Sequence, residues 1–277
     1  MNHKNSHQTI LVFDIDGVIT HRHQPEVVDS ILEQINLCCL NDFKIYFNTG
    51  RSQEFCLTKL FPKLEKYPDI LIQNPVAMCE KGVVKVKYTN GKTIEQIDTK
   101  FSILDYENQI LHNTDLDYKS FFRDKTKVSM LSFEKFPESS YAEFEAEILE
   151  LLEKIKFNID NFGLNNKLSH DKTKISLDIQ HIQAGKDLGA KEIISEVENF
   201  ISTEERANTR VYTFGDSPSD YAMAKHFKQA GFVVTHVDVG ENKEIAKSHG
   251  FRIINLKNTF EDGTLGFLAG IIEAHLS

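Results

Sequence analysis

Two carboxylates one residue apart, Asp14 and Asp16, follow directly on the apolar run Ile10 to Phe13 and precede Gly17. A short apolar run bounded by turn residues reads as a buried strand, so both acids leave at a strand's carboxyl end, where open α/β sheets bind their ligands. The same logic recurs in Gly215-Asp216-Ser217-Pro218-Ser219-Asp220, which follows the apolar run Val211 to Phe214. Acids converging from neighbouring strand ends repel one another. A hard divalent cation with oxygen ligands, most simply Mg²⁺, would neutralise them. The alternative is that Asp216 and Asp220 cap a helix begun near Pro218, which suits one of them but hardly explains two acidic sites.

Weaker signals accompany the acids. Thr49-Gly50-Arg51 ends the run Phe43 to Asn48 and opens a helix at Ser52, presenting a hydroxyl and free backbone N–H groups to an anion; Thr-Gly is equally ordinary turn punctuation. Lys186 follows Gly185 at the start of another helix, where an isolated lysine also reads as simply solvated. His21 and His23 read as a solvated helix approach or as substrate contacts. Asn166, Lys167, His170, Lys172 and Lys174 form a polar, largely basic stretch, either solvated or facing the site to hold an anionic substrate.

The elements that must position these residues alternate. Strand-length apolar runs stand at Ile10 to Phe13, Phe43 to Phe47, Ile70 to Ile72, Val211 to Phe214, Phe232 to Val237 and Phe251 to Ile254. Amphipathic stretches lie between them, such as Pro25 to Leu40 and Lys186 to Phe200. Such alternation predicts an α/β fold with a doubly wound, parallel, Rossmann-like sheet. The middle differs: Val83 to Ile97 reads as a hairpin turning at Asn90-Gly91. After it come a helix near Phe101 to His112, a strand at Lys127 to Phe133, a helix from Ser139 or Ser140 to Lys156, and strands at Phe157 to Phe162 and Thr173 to Ile179. These predict a second, smaller α/β unit, inserted at residues 82–183 into a core made of residues 1–81 and 184–277.

Composition bounds the partners. In 277 residues, 41 acids against 32 Lys and Arg give a formal charge of −9, a poor footprint for nucleic acid or anionic lipid. Cys38, Cys39, Cys56 and Cys79 form no disulfide framework and no CxxC pattern, which suits a reducing cytoplasm. The polar start MNHKNSHQT leads into only four apolar residues, too few for a signal-peptide core or a membrane span. The expectation is a cytoplasmic protein with no membrane anchor. Motifs for P-loop, dinucleotide, zincin and serine-hydrolase chemistry are missing.

Asp14-Ile15-Asp16-Gly17-Val18, Thr49-Gly50-Arg51, Gly185-Lys186 and Gly215-Asp216-Ser217-Pro218-Ser219-Asp220 resemble, in order and context, the four motifs of the haloacid dehalogenase-like superfamily of phosphohydrolases. The insertion between the second and third motifs is similar to the cap of subfamily IIB, which includes Cof-type, sucrose-phosphate, trehalose-phosphate and mannosyl-phosphoglycerate phosphatases. The resemblance implies that Asp14 is the nucleophile and Asp16 the general acid and base. It implies phosphate binding by Thr49, Gly50 and Lys186, and Mg²⁺ binding by Asp14, Asp216 and the Asp16 backbone carbonyl. Asp220 would support the metal site or orient Lys186, Ser217 would support the metal site, and Arg51 with the cap residues Lys167, His170, Lys172 and Lys174 would reach substrate. Ser219 stands where the family commonly has Asn, and Asn74-Pro75 where it often has Asn-Gly. The implied activity is Mg²⁺-dependent hydrolysis of a small phosphorylated metabolite of the sugar phosphate class through an aspartyl-phosphate. A phosphotransferase or sugar phosphomutase using the same intermediate, and a non-enzymatic phosphate-binding module, are the alternatives. No oligomeric state is legible.

Overall fold

The computed structural model describes residues 8–22, 24–241 and 249–276, and His23 lies outside them. The chain divides into two compact units, one running up to Gln96 and resuming at Gly185, the other spanning Ile97–Ala184. The described strands are, in chain order, β1 (Thr9–Phe13), β2 (Lys44–Asn48), β3 (Val76–Cys79), β4 (Val84–Thr89), β5 (Lys92–Ile97), β6 (Phe121–Asp124), β7 (Leu131–Lys135), β8 (Leu168–Lys172), β9 (Ser176–His181), β10 (Arg210–Gly215), β11 (Val233–Asp238) and β12 (Arg252–Asn255). The α-helices are α1 (Asp29–Leu40), the short α2 (Gln53–Phe55), α3 (Phe61–Leu64), α4 (Pro68–Ile72) and α5 (Glu107–Ile110), then α6 (Tyr141–Asn161), α7 (Lys186–Val197), α8 (Asp220–Gln229) and α9 (Phe260–Leu276).

In the first unit an eight-stranded sheet runs in the order β12-β11-β10-β1-β2-β3-β4-β5. Pairing is parallel from β12 through to β3 and turns antiparallel between β3 and β4. All five residues of β1 are buried, as a central strand covered on both faces requires. One such face packs Ile10, Val12 and Val211 against Ile193 and Val197 of α7 and Phe227 of α8. This is the doubly wound α/β arrangement expected from the alternating runs.

The hairpin assigned to the insertion belongs instead to the edge of this sheet. β4 pairs with β3, and Asn90 and Gly91 supply the two positive φ angles, 52° and 74°, of the turn leading to β5. The second unit therefore begins at Ile97 rather than residue 82. Two further expectations change. The run Ile70 to Ile72 is the end of α4, Pro68 having opened that helix, and the strand follows it at Val76. Phe157 to Phe162 continues α6 rather than forming a strand, because Ile159 keeps helical spacing from Ile155 and Leu152 on the buried face.

The second unit is a four-stranded antiparallel sheet, order β6-β7-β9-β8, backed by α6. A capping box in which Ser140 and Glu143 satisfy each other's backbone N–H groups starts that helix. Phe144, Ile148, Leu151 and Ile155 then bury against Leu131, Phe133, Leu177 and Ile179 of the sheet. Between Phe101 and His112 only the single turn α5 and a 3₁₀ turn at Leu104–Tyr106 form. Among the described residues, no helix is long and apolar enough to cross a membrane.

Candidate active site

The four sequence motifs converge at the carboxyl ends of β1, β2 and β10 and at the start of α7. Parallel pairing of β1 with both β10 and β2 brings Phe13 level with Phe214 and Phe47, so Asp14, Asn48 and Gly215 emerge side by side. Asp14 is buried, and one of its oxygens, Oδ1, accepts the backbone N–H of Ile15 at 2.7 Å. Lys186 enters from the first position of α7 and is 7% exposed. Its Nζ lies 2.5 Å from Asp14 Oδ1 and 3.1 Å from Asp220 Oδ1, and it donates to the Asn48 carbonyl at 2.6 Å. Asn48 returns the contact, its Nδ2 donating to the Lys186 carbonyl at 2.8 Å. The lysine is thus fixed by carboxylates and by a reciprocal backbone clasp that the sequence reading did not identify.

Asp216 and Asp220 bracket the turn before α8. Asp220 is fully buried, and its Oδ2 accepts Ser217 Oγ at 2.8 Å and the Ser217 N–H at 3.2 Å. Carboxylate oxygens of Asp14, Asp216 and Asp220 all lie within 4.8 Å of one another. Helix capping therefore does not exhaust the role of this motif: Asp220 accepts the N–H of Ser217, which precedes the helix, and both acids face Asp14.

Electrostatics follow from crowding. Burial, above all, pushes the Asp14 carboxyl well above the usual carboxylate range; Lys186 pulls it back, and the charges of Asp220, Asp16 and Asp216 push it further up. Asp216 is pushed up to about 7, by burial first and then by Asp220. For Lys186 burial disfavours the ammonium, but Asp14 and Asp220 outweigh it and hold the lysine above its ordinary value. One ammonium does not balance this group of acids. Protons would occupy the place that a cation fills. The donor set, hard oxygens converging from three directions, fits a small divalent cation such as Mg²⁺.

Asp16 faces Arg51. Arg51 Nε donates to both Asp16 oxygens at 2.9 Å and its Nη2 donates to Oδ1 at 2.6 Å, a planar fork suited to a carboxylate. The Asp16 side chain is nevertheless 49% exposed. Thr49 is buried, its Oγ1 accepting the Arg51 N–H at 3.1 Å. The loop is laced to a turn after β3: Glu80 N–H donates to the Arg51 carbonyl and Lys81 N–H to that of Thr49, at 2.9 and 3.0 Å. Glu80, Lys81 and Gly82 have φ of 48°, 56° and 92°, a left-handed run held only by surrounding structure. Asn74-Pro75, where the resembled family often has Asn-Gly, sits before β3; of the turn after β3, Gly82 is the one signal legible in the sequence.

In the second unit, two of the sequence candidates, Lys172 and Lys167, are engaged within the unit. Lys172 pairs with Leu177 across β8 and β9, so it shares the helix-facing side of the sheet and donates to both oxygens of Glu145 on α6, at 2.8 and 2.7 Å. His170, opposite Ile179, lies on that same side. Lys167 donates to the Tyr106 hydroxyl at 2.9 Å, and Asn166 and Lys174 are exposed. The opposite face carries polar groups the sequence reading missed. Ser132 Oγ donates to Asp178 Oδ1 at 2.6 Å, Lys127 lies 3.5 Å from the same oxygen, and Gln180 is buried beside them on the strand.

No protein-family model matches the chain, and comparison with curated protein sequences gives no match. Solved structures do match. The C-terminal domain of a trehalose-6-phosphate phosphatase from C. albicans has a TM-score of 0.66 at 15% identity, over 95% of this chain and 93% of that one. A haloacid dehalogenase-like hydrolase from Bacteroides thetaiotaomicron gives 0.63 at 12% identity, over 95% and 99%. A sucrose-phosphatase from Synechocystis, solved with sucrose and phosphate, gives 0.55 at 12% identity, over 96% and 98%. The chain has the fold of these haloacid dehalogenase-like hydrolases.

Proposed function

We propose that the protein is a Mg²⁺-dependent phosphatase that hydrolyses a small phosphomonoester, of the sugar phosphate class, through an aspartyl-phosphate on Asp14. The observation that carries this reading is the cluster in which buried Asp14, Lys186 and Asp220 meet the partly buried Asp216 at the ends of adjacent parallel strands. Similarity in fold to structures titled as trehalose-6-phosphate and sucrose phosphatases supports the substrate class.

The chain's own residues account for each step. Asp14 attacks phosphorus through a side-chain oxygen, forming an O–P bond while the ester oxygen leaves with its electron pair. Lys186, with Thr49 and the N–H groups of the Gly50 loop, neutralises the equatorial phosphoryl oxygens and holds the group in line. Asp16 donates the proton that the leaving alkoxide takes up, then as carboxylate draws one from the water that splits the acyl phosphate. Its exposure favours water as acceptor over a second sugar. Arg51 orients Asp16 by its fork. Asp14, Asp216 and the Asp16 carbonyl would hold the cation, supported by Asp220 and Ser217, and the ion would supply charge neutralisation that lets an anionic carboxylate approach a phosphate dianion.

Selectivity must come from groups that read the leaving alcohol. Within the second unit, Lys172 is committed to Glu145, and Lys127, Ser132 and Asp178 are engaged with one another. The test is a phosphate-release screen over sugar phosphates and other phosphomonoesters in Mg²⁺ and in excess chelator. The account expects turnover of a sugar phosphate that chelator abolishes and Mg²⁺ restores; undiminished release in chelator would reject the metal assignment.

A further inference from the structure

Behind the acids lies a buried group of side chains for which the mechanism has no use. Asp238, at the end of β11, is 4% exposed, carries a carboxylate and is level with Gly215 in the sheet. Its two oxygens are taken up separately. Tyr221 Oη donates to Oδ2 at 2.6 Å, and the Gly240 N–H donates to Oδ1 at 2.8 Å. Each donor leads to one of the acids of the candidate metal site. Tyr221 is the residue after Asp220 on α8. Gly240 packs so closely beneath Asp216 that a Cβ there would fall 2.3 Å from the Asp216 carbonyl oxygen. The tyrosine ring has little freedom to drift, being stacked on His249 at 5.0 Å and packed on His236 at 4.6 Å between centroids. His236, in turn, is held through Nδ1 by Thr213 Oγ1 at 2.8 Å.

We propose that Tyr221 and Asp238 are positioning residues that fix the separation of Asp216 and Asp220 and so set the affinity of the site for a small divalent cation. The inference rests on reading these acids as a Mg²⁺ site. One carboxylate joins the helix bearing Asp220 to the loop beneath Asp216, which couples the two acids without touching either one's oxygens. Magnesium tolerates little departure from octahedral geometry, whereas calcium accepts variable geometry and coordination number. Loosening the joint should therefore penalise Mg²⁺ more than Ca²⁺. Groups that orient ligands from behind are typically worth about 10- to 100-fold in metal affinity.

The test is calorimetric titration of the full chain with MgCl₂ and, separately, CaCl₂, for wild type, Tyr221→Phe, Asp238→Asn and the double variant, with near-ultraviolet circular dichroism to establish folding. The expected result is that Tyr221→Phe and Asp238→Asn each weaken Mg²⁺ binding about tenfold, weaken Ca²⁺ binding distinctly less, and together do no worse than either alone, because they break one joint. Should Asp238→Asn fail to fold, the milder Tyr221→Phe carries the same comparison. Wild-type Mg²⁺ affinity in folded Tyr221→Phe, or equal losses for both ions, overturns the positioning role and leaves the metal site standing. A wild-type chain that binds no Mg²⁺ overturns both.

Discussion

Asp16 is the residue whose role depends most on its partner. An arginine fork orients its half-exposed carboxyl, and the proposed chemistry asks it to give up a proton when the ester bond breaks. Replacement of Asp16 by Asn removes proton donation while keeping size, so the rate should fall by about 10² to 10⁴ for an alkyl sugar phosphate. The deficit should shrink with an aryl phosphate, whose leaving group needs little protonation; equal deficits in parallel steady-state assays would argue against the assignment. A second residue-scale prediction concerns His236, fully buried and lowered by that burial to about 4 from its ordinary 6.5. The unfolded chain binds this proton and the folded chain does not over that interval, so stability is full above about pH 6.5 and is lost as pH falls toward 4. Asp14 and Asp216, raised in the folded state, act with the opposite sign. Denaturant midpoints of wild type and His236→Gln between pH 7 and 5 isolate the histidine: the variant's curve should be flatter in the acid direction by about 2 kcal/mol. Parallel curves would contradict it.

At the scale of elements, the site depends on close backbone approaches as much as on charged groups. A Cβ on Gly189 of α7 would lie 2.1 Å from Asn48 Oδ1, and one on Gly82 2.3 Å from the Gly189 nitrogen. The strained turn after β3, the start of α7 and the end of β2 therefore interlock, and Lys186 takes its position from that contact. Gly189→Ala should lower stability by about 1 to 3 kcal/mol through overpacking and reduce kcat as the Asn48 clasp on Lys186 is displaced. Thermal unfolding with steady-state kinetics checks both, and a variant normal in each would show that the contact has slack. These contacts explain what the sequence did and did not disclose. Acids directly after apolar runs were legible, since a strand's end is marked by where the apolar residues stop. The convergence on Asn48 was not, because a buried asparagine in a strand has no periodic signature. The boundary at residue 82 failed because hairpin alternation reads the same at the edge of a large sheet as within a small one. The partner of Lys172 was not legible, since its side of the sheet is set by its register with Leu177, which local sequence does not encode.

Over the whole molecule, the chain forms two compact units. The first concentrates Asp14, Asp16, Lys186, Asp216 and Asp220 near the carboxyl ends of central strands, in a chain of formal charge −9, where neutralisation by a cation matters for binding an anionic substrate. In the second, the sequence-picked Lys172 is bonded to Glu145, so Lys172→Ala should leave the ratio of kcat/KM for a sugar phosphate over an aryl phosphate unchanged within about twofold, a solvent-screened ion pair of this kind contributing little beyond local packing. A shifted ratio would return that lysine to the substrate. The central claim, phosphoryl transfer through Asp14, is tested most directly by the rate of phosphate release from an aryl phosphate in saturating Mg²⁺ by Asp14→Asn. A carboxamide neither attacks phosphorus well nor balances the cation. The account predicts a folded variant whose turnover falls at least about a thousandfold, and near wild-type release by that variant would contradict it.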